Sequence, residues 1–116
     1  MEGRDKVFPK HPRIENPKLM KQLKIEVGCC EKCGNPYNLE SAHIIAKGMG
    51  GGKGPDIREN AVVFCGPAAL GAGCHGADHR GEISQEEKFE IAGRREGKSS
   101  EECRVITRRA MGYQVE

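Results

Sequence analysis

The chain has 116 residues, room for one domain, with 36% hydrophobic residues, three Phe, two Tyr, no Trp and a net charge of +2. Sixteen glycines add backbone entropy that folding must overcome, so a core this thin needs a staple, either disulfide or metal. No segment reaches the length of a membrane span, and the charged start Met1 to Lys6 has no apolar run behind it, which argues against a signal peptide. The expected setting is therefore a reducing cytoplasm, where six cysteines are metal ligands more often than disulfides.

Charge is uneven along the chain. Residues 1–25 carry seven Lys/Arg against three acids, a net of +4, and the remainder carries −2. A basic arm on a near-neutral body suits contact with a polyanion; a solvated tail is the plainer reading of the same charges.

Residues 1–17 hold Pro9, Pro12 and Pro17 among charges and read as an extended arm. Pro17 then suits the first turn of a short helix to Ile25, with Leu19, Met20 and Leu23 as its apolar stripe and Gly28 as its stop. Cys30-Glu31-Lys32-Cys33 followed by Gly34-Asn35-Pro36 reads as a knuckle. Leu39 to Ile45 is strand-like, residues 48–54 form a Gly-rich loop, and Asn60 to Phe64 is a second strand running into Cys65. Cys74 to His79 reads as a short helix with His75 and His79 at i and i+4. After Gly81, Ser84 to Glu87 supplies a capping box for a helix to about Glu96. Ser99 to Glu102 repeats the start signal for a last helix, with Cys103, Ile106 and Ala110 as its buried stripe.

Two chemistries are written into this order. The C-x2-C pair Cys30/Cys33 sets two sulfurs at the bite of a tetrahedral Zn²⁺, and Cys65/Cys74 completes a four-cysteine structural site. The second pair is spaced by eight residues, an excursion that Gly66, Gly71 and Gly73 permit. Cys29 competes with Cys30, but only Cys30 has the x2 spacing; Cys103 reads as a small buried hydrophobe. A closed thiolate site leaves His43, His75, His79 and Asn60 unused. A strand histidine facing a helical pair has the makings of phosphodiester hydrolysis, one imidazole activating water and two holding a divalent ion.

Cys-x2-Cys, Ala-His-Ile-Ile, Gly-Gly, Glu-Asn, Phe-Cys and Cys-His-x3-His, in that order over about residues 29–81, resemble the zinc-supported HNH endonucleases. The resemblance implies a small α+β chain: a ββα-metal core over 29–81, flanked by a basic arm and short helix at 1–28 and two helices at 82–116. It implies DNA phosphodiester hydrolysis, nicking or cutting through. His43 would be the general base and Asn60 the residue orienting its loop. His75 and His79 would ligate a catalytic Mg²⁺ or Mn²⁺ distinct from the structural Zn²⁺. Many members come from bacteriophages, which implies the host cell cytoplasm as the setting and leaves a homodimer or phage DNA-processing machinery as partners.

One position departs from the pattern. The residue before the base commonly gives the ion a strand ligand, and here it is Ala42, with Glu40 or Asp78 as candidate substitutes. Lys47, Lys53 and Arg80, together with Arg94, Arg95, Arg104, Arg108 and Arg109, are candidate DNA-backbone contacts. The rival reading is a non-catalytic zinc module that binds nucleic acid. A deaminase is excluded because His43-Ile44-Ile45 lacks the required His-x-Glu.

Overall fold

Asn16 starts the first helix. Its side-chain oxygen accepts the Leu19 N–H, Pro17 occupies the first turn, and α1 runs Pro17–Val27 until Gly28 caps it in the left-handed conformation. The computed structural model describes residues 13–46 and 54–113. Beyond α1 these form β1 (Leu39–His43), β2 (Ala61–Cys65), α2 (Gly73–His79), α3 (Gln85–Glu96) and α4 (Ser100–Ala110), with 3-10 turns at Arg58–Asn60 and Ala68–Leu70. The fold is thus a small α+β arrangement, a two-stranded antiparallel sheet surrounded by four helices among the described residues. None of these helices is long and apolar enough to cross a membrane.

The sheet pairs Leu39 with Cys65 and His43 with Ala61. All five residues of β2 are buried, because both of its faces are covered. Val62 and Phe64 pack with Ala42, Ile83, Phe89, Ile91, Ala92 and Cys103 on the α3/α4 side. Ala61 and Val63 pack with Leu23 of α1 on the other. The knuckle extends the sheet by one rung: Glu31 N–H donates to Val63 O at 2.7 Å, and Val63 N–H donates back to the Glu31 carboxylate at 2.9 Å.

Three expectations are corrected. First, β1 ends at His43 and not at Ile45, because Asn60 takes over the next rungs: Ile44 N–H donates to Asn60 O and Ile45 N–H to Asn60 Oδ1, both at 2.8 Å. Asn60 itself lies in the 3-10 turn before β2, not in the strand. Second, the buried stripe of α4 is Cys103, Thr107 and, just past its end, Met111, an i, i+4, i+8 row, while Ile106 and Ala110 are only half-buried. Thr107 is fully buried, and its hydroxyl has no hydrogen-bond partner among the described residues. Third, only Ser99 forms a complete capping box; Ser84 accepts the Glu87 N–H, but the Glu87 carboxylate turns to Lys32.

Helices α3 and α4 cross closely at Gly93, where a Cβ would stand 2.4 Å from Lys98 O. The same junction is tied to the sheet by charge. Arg95 donates to Glu31 at 2.7 Å, to Glu96, and to the carbonyls of Arg58 and Ala61. Arg58 in turn spans Glu96 and Glu26. Arg95 therefore belongs to the scaffold and is withdrawn from the candidate DNA contacts.

Candidate active site and metal centre

The knuckle turn, the end of β2 and the start of α2 bring Cys30, Cys33, Cys65 and Cys74 together, with all four sulfurs within 4.8 Å of one another. A Zn²⁺ with bonds of about 2.3 Å needs tetrahedral sulfur edges of about 3.8 Å, and the Cys33 and Cys65 sulfurs stand 3.6 Å apart. Backbone N–H groups point at the sulfurs, Cys33 N at Cys30 Sγ (3.5 Å) and Cys74 N at Cys65 Sγ (3.4 Å). Gly73 makes the return to Cys74 possible: its φ is +67°, and a Cβ there would lie 2.4 Å from Cys65 O.

The thiols do not suit one another without a cation. Burial pushes the Cys74 thiol upward, and the neighbouring Cys30 and Cys33 push it further. Burial also opposes ionisation of Cys30, but the N–H groups of Cys33, Lys32 and Cys65 outweigh it and bring that thiol down to about 7. One thiolate is favoured and the next is penalised, the pattern a divalent ion at the centre would resolve. All six cysteines are free thiols; Cys29 stays outside the cluster and Cys103 is buried in the core. In donor set and spacing the cluster suits a structural zinc ion.

Next to it opens a cleft of about 440 Å³ lined by residues 41–44, Ala46, His75, Asp78, His79 and Lys88. The end of β1 supplies His43, and α2 supplies His75 and His79, whose rings meet edge to face with centroids 4.6 Å apart. Asn60, fully buried, holds the floor by donating to Ile45 O (3.1 Å) and Pro55 O (3.0 Å) while accepting the Ile45 N–H.

His43, His75 and Asp78 each have a charged partner beside them. His43 Nε2 lies 2.6 Å from Asp56 Oδ1, a buried carboxylate that also accepts from Arg13 Nη1 (3.0 Å) and from Asn16 N–H (2.7 Å). Burial alone would raise the pKa of Asp56, but these three donors outweigh it and hold the carboxyl down at about 2. The carboxylate accepts from Nε2–H, which leaves Nδ1 as the basic nitrogen of His43. His75 Nδ1 lies 2.6 Å from Glu40 Oε1, which also accepts the Ala68 N–H at 3.0 Å. Burial works against the Glu40 carboxylate, yet Ala68 and His75 keep it below the ordinary carboxylate range. This contact engages Nδ1 of His75 and leaves Nε2 as its other ring nitrogen. Asp78 is paired with Lys88 at 2.7 Å, both side chains about a tenth exposed.

The two candidate substitutes for Ala42 are each engaged with a cleft side chain. Glu40 supports His75 from behind, and Asp78 is taken up by Lys88. Among the described residues the four cysteines are the one group of three or more His, Cys, Asp or Glu side chains whose ligand atoms converge. Arg80 caps α2 and donates to Glu82 (2.8 Å) and Gly71 O (2.7 Å). Lys47 and Lys53 lie outside the described residues.

Asp56 and Lys88 were not foreseen as site residues. Lys88 had a signal, a charge beside Phe89 on the apolar side of a helix. Asp56 had none, since it follows Pro55 in a connecting segment with no periodicity. No family model, no curated protein and no solved structure matches this chain.

Proposed function

We propose that the chain is a metal-dependent HNH-type endonuclease, with a ββα-metal core, that hydrolyses DNA phosphodiester bonds. One observation carries the reading: His43, braced by Asp56, lines the same cleft as His75 and His79. In this reading His43 Nδ1 takes a proton from a water as its oxygen attacks phosphorus and the bond to the leaving sugar oxygen breaks. Asp56 stabilises the imidazolium that forms. Lys88, at the cleft wall, brings an ammonium group to the site with its charge shared by Asp78.

His75 and His79 would hold the catalytic ion, which when bound neutralises phosphate charge. Two imidazoles with no free carboxylate fit Mn²⁺ better than the harder Mg²⁺. The same shortage of oxygen donors, with Ala42 buried at the ligand position, favours a second reading: a zinc-stabilised module that binds nucleic acid without cutting it.

Supercoiled plasmid incubated with Mn²⁺ decides between them. Nicking by the wild type that is lost in His43→Ala, with zinc content and melting unchanged, is the expected result. No nicking with any divalent ion would select the binding module, and undiminished cutting by His43→Ala would remove the histidine from its role.

A further inference from the structure

A second groove adjoins the histidine cleft. It encloses about 430 Å³ and is lined by Met20, Lys21, Lys24, Glu40, Ser41, Ala68, Ala69 and His75. Ser41 and His75 line both spaces, so the two meet across β1. Its far wall is α1, held against the sheet by Leu23 and by the Ser41 hydroxyl donating to Met20 O.

On that wall Lys24 stands near enough to Glu40 to help keep its carboxylate ionised, without a close ion pair, while the other lysines face solvent. Lys18, Lys21 and Lys24 recur at i, i+3 and i+6 on one side of α1. The side chains of Lys18 and Lys21 make no ion pair or hydrogen bond among the described residues, and both are exposed. The acid of α1, Glu26, is turned away to Arg58. The one carboxylate lining the groove, Glu40, is occupied by His75 and Ala68 N–H. Small residues make the floor: Ser41, Ala68 and Ala69 leave room for a chain to lie along it. By contrast, Arg80 and Arg95 are already compensated by carboxylates.

We infer that this groove is the track for the DNA strand flanking the scissile phosphate, with Lys21 and Lys24 each neutralising one backbone phosphate. The inference rests on the endonuclease reading and adds the direction in which the strand leaves the cleft: across Ser41 toward α1. The contacts are to backbone and carry no base preference.

The test is binding of a fluorescently labelled DNA duplex across a salt series, comparing Lys21→Gln/Lys24→Gln with the parent, both in a His43→Ala background so that the probe stays intact. Losing two phosphate contacts should lower the slope of log K against log salt by about 1.8 and weaken low-salt binding on the order of tenfold. Zinc content and helical circular dichroism serve as the check that the variant is folded. An unchanged slope and affinity in a folded variant would overturn the track while leaving plasmid nicking by the wild type, and hence the nuclease reading, intact. A parent that binds no duplex and a wild type that nicks no plasmid would overturn both.

Discussion

The 2.6 Å contact between His43 Nε2 and Asp56 Oδ1 joins the end of a strand to a residue thirteen positions away in a connecting segment. The Asp56→Asn variant keeps the shape but no longer favours the tautomer that leaves Nδ1 basic. Turnover of plasmid should fall by roughly 10²–10⁴-fold with KM nearly constant. A purely structural Asp56 would instead lower the melting temperature and leave kcat per folded molecule alone, so steady-state kinetics beside a thermal melt separates the two roles.

The same carboxylate gives the fold an acid-sensitive contribution. Asp56 titrates at about 2 in the folded chain against an ordinary 3.8. Its stabilisation is complete above pH about 4, where it is ionised folded or unfolded, and is lost as pH falls through about 2. The shift corresponds to about 2 kcal/mol. In urea titrations, the stability gap between wild type and Asp56→Asn should narrow as pH falls below about 4. A gap that widens between pH about 4 and about 2 would contradict the assignment.

Metal analysis should find one zinc per chain. Because the thiolate site joins the knuckle, β2 and α2, Cys33→Ser or Cys65→Ser should bind zinc poorly. Each should lose the sharp melting transition, a cost of several kcal/mol for a structural zinc site. Cys103→Ala should retain the metal and lose only packing. Full zinc retention by Cys65→Ser would exclude the four-thiolate assignment.

Lys88 and Asp78 form a pair with side chains 11% and 8% exposed. Removing one partner strands the other: Lys88→Met should destabilise the fold by about 3–5 kcal/mol, and Asp78→Asn/Lys88→Met should recover much of that. The double variant also reports on the cleft. Loss of nicking despite recovered stability would identify the ammonium group with charge stabilisation at the phosphate.

The legible parts of this molecule were those governed by short-range rules. Asn16, Pro17 and Gly28 mark a helix because caps and prolines act within a turn. Cys30 and Cys33 mark a knuckle because two ligands of one metal must share a bite. The partners of the histidines were not legible, because a hydrogen bond between Glu40 and His75, 35 residues apart, leaves no periodic trace. The α4 stripe was misread for a different reason: Thr107 is polar by composition, yet it fills a fully buried position that an apolar residue would be expected to take.

Strand β2 spans five residues, with Asn60, which pins Ile45, immediately before it and Cys65 of the thiol cluster at its end. An inserted or deleted residue between them would turn Val62 and Phe64 toward α1 and swing Cys65 out of the thiol cluster. This interval is therefore a fixed ruler: the count from Asn60 to Cys65 sets at once which way the strand faces and where the thiol lands.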